Sequence, residues 1–167
     1  MLDTLATADR SRAEPTGILT TQHDDRIIEQ AITILEARAF KAGPLVNSTT
    51  ALRDYLRLKL MAEPNEVFVA VFLNSQHLVL ACETLFTGTV DFIAIHPRVV
   101  VQRALALNAS ALIIAHQHPS GLSSPSSADV TQTKRLKDAL ATVDVRLLDH
   151  FIVGKGEPFS FASSGLL

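Results

Sequence analysis

Apolar positions recur at two periods along the chain, and the change from one to the other divides it. From Asp24 the run IIEQAITILEARAF places Ile27, Ala31, Ile34 and Leu35 on one helical face behind two acidic residues, which predicts an amphipathic helix ending near Gly43 and Pro44. A second helix follows, with Asn47, Ser48 or Thr49 able to cap it. Leu52, Leu56 and Leu60 line one side of it, and Arg53, Arg57 and Lys59 occupy the others. Near Glu66 the period shortens. VFVAVFL is β-branched and aromatic throughout, and the polar turn Asn74-Ser75-Gln76 joins it to the apolar run HLVLACETLF, so a hairpin is predicted. A short strand is expected over 92–95. Pro97 then suits a helix start, and Val100, Ala104 and Leu107 form a packing face before Asn108 ends it. A strand over 111–116, a helix from Ser126 to about Ala141, a strand over 145–153 and a last short strand over 159–161 complete an α/β fold, a mixed sheet with flanking helices. Residues 1–22 show no periodicity and read as a disordered tail. The expected organisation is therefore a tail (1–22), a helical segment (23–62) and a domain that carries the chemistry (63–167).

Composition narrows the function classes. At 167 residues, 47% of them hydrophobic, the chain can bury a sizeable core. Its formal charge of −2 gives no global basic footprint for nucleic acid. Contact with DNA would have to be local, through Arg53, Arg57, Lys59 or Arg98, and a solvated face is the simpler reading of the first three. Cys82 is the only cysteine, which excludes an intramolecular disulfide and fits a reducing compartment. No signal-peptide pattern opens the chain and no apolar run has membrane-spanning length, so a cytoplasmic protein without a membrane partner is expected.

The chemistry is concentrated in ALIIAHQHPSGLSSPSSAD, residues 111–129. Side chains at i and i+2 of a strand share a face, so His116 and His118 can present both imidazoles to one ion while Gln117 points the other way. Pro119, Ser120 and Gly121 break the strand, and a helix starting at Ser126 can swing Asp129 back toward the histidines. Two nitrogens and one carboxylate leave a fourth position for water, as in catalytic rather than structural zinc sites. Ser126 and Asp129 also read as an ordinary helix cap, and the two roles are compatible. His23, His77 and His96 read as ordinary hydrogen-bonded residues. Hydrolysis also needs a proton acceptor, for which Glu63, Glu66 and Glu83 are the upstream candidates, since Glu157 sits in a late Gly-Pro turn. Glu83, midway along the second hairpin strand, would be a buried charge in need of a partner. Asp149 and His150 lie in the apolar strand LLDHFIV and point to opposite faces. They read equally as support for a metal ligand or as a structural pair holding sheet to loop.

HQHPSG followed by PSSAD resembles the JAMM (MPN+) metalloprotease signature, His-x-His-Pro, a spacer and Ser-x-x-Asp, in the form carried by RadC-like proteins. EVFVAVFLN, LFTGTV, HPRVVVQRALALNASALIIAH and LLDHFIVG extend the likeness over roughly the last hundred residues. The resemblance implies a three-layer MPN/JAMM architecture, similar to cytidine deaminases, and a zinc-dependent hydrolase acting on a peptide or isopeptide bond of a protein or peptide substrate. It places zinc on His116, His118 and Asp129, the general base on Glu66 and support of the tetrahedral intermediate on Ser126. Two departures are visible. The family usually has asparagine where this chain has Gln117, a change expected to affect ligation little because the side chain points off the metal face. Residues 1–22 do not read as the helix-hairpin-helix region of long RadC proteins, so the likeness is to the short, JAMM-only form. The competing expectations are a DNA-repair-associated or DNA-binding role and a metal-stabilised interaction scaffold.

Overall fold

The computed structural model describes residues 16–41, 49–89 and 93–167. Among them the order is α1 (Thr16–Lys41), α2 (Thr49–Met61), β1 (Val67–Leu73), β2 (Val79–Thr87), α3 (Pro97–Ala106), β3 (Ala111–Gln117), α4 (Ser127–Ala141), β4 (Arg146–Val153) and β5 (Phe159–Ser160). The strands form one mixed sheet in the order β2-β1-β3-β4-β5, with β3 and β4 parallel and the other neighbours antiparallel. Every residue of β1 and β3 is buried, which explains why both read as unbroken apolar runs rather than as alternation.

Residue parity assigns the two faces. Val67, Val69, Val71 and Leu73 join Ile113 and Ala115 beneath Leu52, Leu56 and Leu60 of α2. Phe68, Ala70 and Phe72 join Leu112 and Ile114 against Val100 and Ala104 of α3 and Leu136 and Leu140 of α4. The result is a helix–sheet–helix sandwich, the three-layer α/β architecture that the resemblance implied.

Several local expectations shift. Helix α1 begins at Thr16, so residues 16–22, read as tail, are helical, whereas residues 1–15 lie outside the described ones. Its buried side keeps only part of the expected stripe. Ile27 and Ile34 are 51% and 52% exposed, whereas Leu35 of that stripe packs on the α2-side core together with Ile32 and Phe40 from outside it. Periodicity within the helix defined a stripe, but among the described side chains those that pack on the body lie in the C-terminal half, and that contact sets the rotation. Residues 93–95 are not in a strand; Ile93 and Ile95 pack against the α3–α4 cluster and Gln132 Nε2 donates to the Ile95 carbonyl at 3.1 Å, while Phe92 lies outside the described residues. Apolar spacing there reflects packing rather than pairing. Gly43, Pro44, Asn47 and Ser48 also lie outside the described residues. The hairpin turn is longer than expected. Asn74 Oδ1 accepts from the Gln76 and Leu78 amides at 2.9 Å each, and His77 takes φ +60°, so β2 starts only at Val79.

On α2, Arg53 and Arg57 approach Glu157 at 3.8 and 3.9 Å, and Lys59 donates to the Tyr55 hydroxyl at 3.1 Å. Exposed pairs of this kind add little stability. Burial pushes the Cys82 thiol up, which favours its protonated form. No described helix is long and apolar enough to cross a membrane.

Candidate metal centre

Strand register delivers three of the four side chains that meet at the end of β3. His116 lies on the face that Ile114 shares with α4, and His118, two residues on, keeps to that face. Phe68 of β1 pairs with His116; continuing that antiparallel register by two residues sets Glu66 across from His118, again on the same face. The fourth side chain comes from α4. Ser126 caps that helix with a reciprocal box in which its Oγ accepts from the Asp129 amide at 3.1 Å and Asp129 Oδ2 accepts from the Ser126 amide at 2.7 Å. The Ser126 hydroxyl also donates to Asp129 Oδ2 at 2.6 Å, so the cap aims the carboxylate.

His116 Nε2 and His118 Nε2 stand 3.0 Å apart. Asp129 Oδ1 lies 3.2 Å from the first and Oδ2 3.4 Å from the second, and Glu66 Oε1 is 3.9 Å from His116 Nε2. The donor set suits a divalent ion. Two imidazole nitrogens on one tetrahedral zinc would be separated by about 3.3 Å at ordinary Zn–N lengths. The remaining ring nitrogens are engaged elsewhere, His118 Nδ1 with the Leu122 carbonyl at 2.8 Å and His116 Nδ1 with His150 Nε2 at 2.8 Å. Glu66, His116 and His118 form a group that could hold a metal ion, with ligand atoms all within 4.8 Å of one another. Asp129 belongs beside them by its contacts with both imidazoles.

Charge is balanced within the cluster. Burial opposes ionisation of Asp129, but the neighbouring His116, His118 and Ser126 side chains outweigh it and hold the carboxyl well below the usual range. Asp129, more than the opposing effect of burial, raises the pKa of His118. Burial, reinforced by neighbouring His116, pushes His150 well below the ordinary histidine value and keeps it neutral. An ion bound by His118 would compete with the proton that Asp129 favours there, so zinc affinity should rise with pH. Calorimetry at about pH 6, below the ordinary histidine value, in buffers of different ionisation heat should show proton release on zinc uptake. Uptake without a released proton would contradict His118 as a ligand.

The other glutamates separate cleanly. Glu83 is not the buried charge expected: it is partly exposed on the edge strand β2 and forms a two-pronged pair with Arg103 at 2.6 and 2.7 Å. Glu66 lines a cleft of about 580 Å³ together with His118, Ser126, Asp129 and the 93–96 segment, and His96, which had no expected role, also faces this cleft. Asp149 and His150 divide the two roles considered for them. Asp149 accepts from the Ala162 amide at 3.0 Å and from Ser160 Oγ at 2.6 Å and so fastens the C-terminal segment, whereas His150 touches a histidine of the cluster.

Gln117 does more than point away from the cluster. Its Oε1 accepts from the Val67 amide at 2.9 Å and its Nε2 donates to the Asn65 carbonyl, so one side chain grips the backbone on both sides of Glu66. Parity showed the direction of the side chain; its partners, some 50 residues earlier, had no local signal. A second clamp holds the loop after β3. The His118 amide donates to the Val153 carbonyl at 3.0 Å and the Lys155 amide to the Gly121 carbonyl at 2.8 Å. A Cβ at Gly154 would stand 2.6 Å from the Gly121 oxygen and 2.7 Å from the Ser123 nitrogen, both backbone atoms. Gly154→Ala should therefore displace the loop that supplies Leu122 to His118. The expected result is a stability loss of about 1–3 kcal/mol in chemical denaturation together with weaker zinc binding. Native-like values for both would show that the loop yields without consequence.

Layering and cluster together define a three-layer α/β domain with a candidate divalent-metal centre at the end of its central strands. A RadC-like JAB domain matches residues 46–166, and the chain belongs to that family. It is 56% identical over 131 residues to a UPF0758 protein of Azotobacter vinelandii, covering 78% of this chain and 58% of that one. A UPF0758 protein of Leptothrix cholodnii is 47% identical over 163 residues, covering 93% and 73%, and one of Pseudomonas fluorescens is 58% identical over 114 residues, covering 68% and 51%. The chain thus spans a little under three-fifths of the Azotobacter relative's length.

Proposed function

We propose that this domain is a zinc-dependent hydrolase of the JAMM type that cleaves a peptide or isopeptide bond in a protein or peptide substrate. The observation that carries the reading is the convergence of His116, His118 and Asp129 with the Glu66 carboxylate at the edge of an open cleft. His116, His118 and Asp129 would hold the zinc, which when bound would supply a Lewis acid for the carbonyl and lower the pKa of a water. Glu66 is placed to take the proton from the attacking water and return it to the leaving amine. Ser126 keeps Asp129 aimed, and its hydroxyl, which in this structure donates to Asp129 Oδ2, would turn toward the cleft to donate to the developing oxyanion. Arg53, Arg57 and Lys59 belong to α2, across the sheet from the cluster, so a DNA contact there would be separate from this chemistry.

Metal analysis of the purified protein, followed by peptide-library cleavage with and without a chelator, tests the proposal. Stoichiometric zinc and cleavage abolished by chelation and restored by zinc are expected. Cleavage indifferent to the chelator would overturn it.

A further inference from the structure

Thr133 lies one turn beyond Asp129 on α4 and is buried, although no feature of the sequence marks it. Its Oγ1 donates to the Asp129 carbonyl at 2.6 Å and stands 2.7 Å from His150 Nδ1, and His150 Nε2 stands 2.8 Å from His116 Nδ1. The series links the backbone of one candidate ligand to the imidazole of another, and its direction is fixed from the Thr133 end. A carbonyl oxygen only accepts, so the hydroxyl proton is committed to Asp129 and Oγ1 can only accept from His150. The Nδ1 of His150 therefore carries hydrogen. A neutral imidazole has one N–H, which leaves its Nε2 as an acceptor and requires His116 Nδ1 to be the donor. The Nε2 of His116 is then bare, and it is the nitrogen that faces His118, Asp129 and Glu66. In the opposite direction, with Thr133 donating to His150 Nδ1 and His150 Nε2 donating to His116, the only hydrogen on His116 would point into the cluster and occupy the ion's place.

We propose that Thr133 is a positioning residue for the metal centre, which through His150 decides which ring nitrogen of His116 is bare. The proposal rests on the zinc-hydrolase reading, but its first test does not need zinc. Long-range ¹H–¹⁵N spectra of the zinc-free native protein should show hydrogen on Nδ1 of both His116 and His150; hydrogen on Nε2 of either ring overturns the proposal. The second test is zinc affinity by competition with a chromogenic chelator. T133V, which keeps the shape and removes the hydroxyl, should bind roughly 10- to 100-fold more weakly, the usual cost of losing an outer partner of a metal ligand. T133S, which retains the hydroxyl, should recover most of that loss, a rescue that a purely space-filling role does not predict. T133V binding zinc as tightly as native protein overturns the proposal, as does T133S falling as far as T133V. Should T133V fail to fold, the native spectrum still decides. Native protein that takes up no zinc would instead sink the hydrolase reading, and the two failures are thereby separable.

Discussion

E66Q protein should take up zinc as the native protein does and lose hydrolysis by roughly 10²- to 10⁴-fold, the usual contribution of a positioned general base. The change is nearly isosteric and the backbone at this position is held independently of the carboxylate. The Glu66 amide donates to the Thr89 carbonyl at 2.9 Å, its own carbonyl accepts from Gly88 at 2.7 Å, and Gln117 fastens the peptides on either side. E66Q should consequently fold normally. The experiment also decides between two uses of one side chain. Glu66 Oε1 is 3.9 Å from His116 Nε2, farther than either oxygen of Asp129 from its imidazole, which suits a base that meets the ion through water. It is nevertheless close enough to be counted among possible ligands. Zinc retained with hydrolysis lost assigns Glu66 as the base; zinc lost along with hydrolysis assigns it as a ligand and refutes a mechanism in which its carboxylate carries the proton.

On the proposed zinc-hydrolase reading, zinc should stabilise the native fold and H116A should abolish that stabilisation. At zinc concentrations 100-fold above Kd, native protein should gain about 2.7 kcal/mol, visible as a raised Tm. H116A should show no such gain. The metal-free variant should itself be less stable by about 1–3 kcal/mol, because His116 is 1% exposed and its removal leaves the 2%-exposed His150 with an unpaired ring nitrogen. Comparison with H150A separates the two effects, since that variant removes the buried partner and retains the ligand. A zinc-dependent rise in the Tm of H116A equal to that of native protein would exclude His116 as a ligand.

What could be read before the structure was whatever depends on residues close in sequence. Strand alternation placed His116 and His118 on one face, and the Ser126–Asp129 cap returned the carboxylate to them, because both rules operate within a few residues. The choice of Glu66 over Glu83 needed either the family likeness or the pairing of Phe68 with His116, a contact across 48 positions. The grip of Gln117 on residues 65–67 and the partnership of His150 with His116 are of the same long-range kind. Helix α1 departs for the complementary reason. Its own periodicity defines a stripe of which Leu35 meets the body while Ile27 and Ile34 stay exposed, and Ile32 and Phe40, outside the stripe, pack there as well.

On the proposed reading, the alternation of β3 would make zinc a reader of folding accuracy. Were β3 to slip by one residue against β1, Gln117 would turn toward α4, both histidines would turn toward α2, and the grip on the Glu66 segment would disappear in the same step. No half-correct register keeps part of the site. A chain with the wrong register would be invisible to zinc, and the ion would draw the population toward the single pairing in which base and ligands meet.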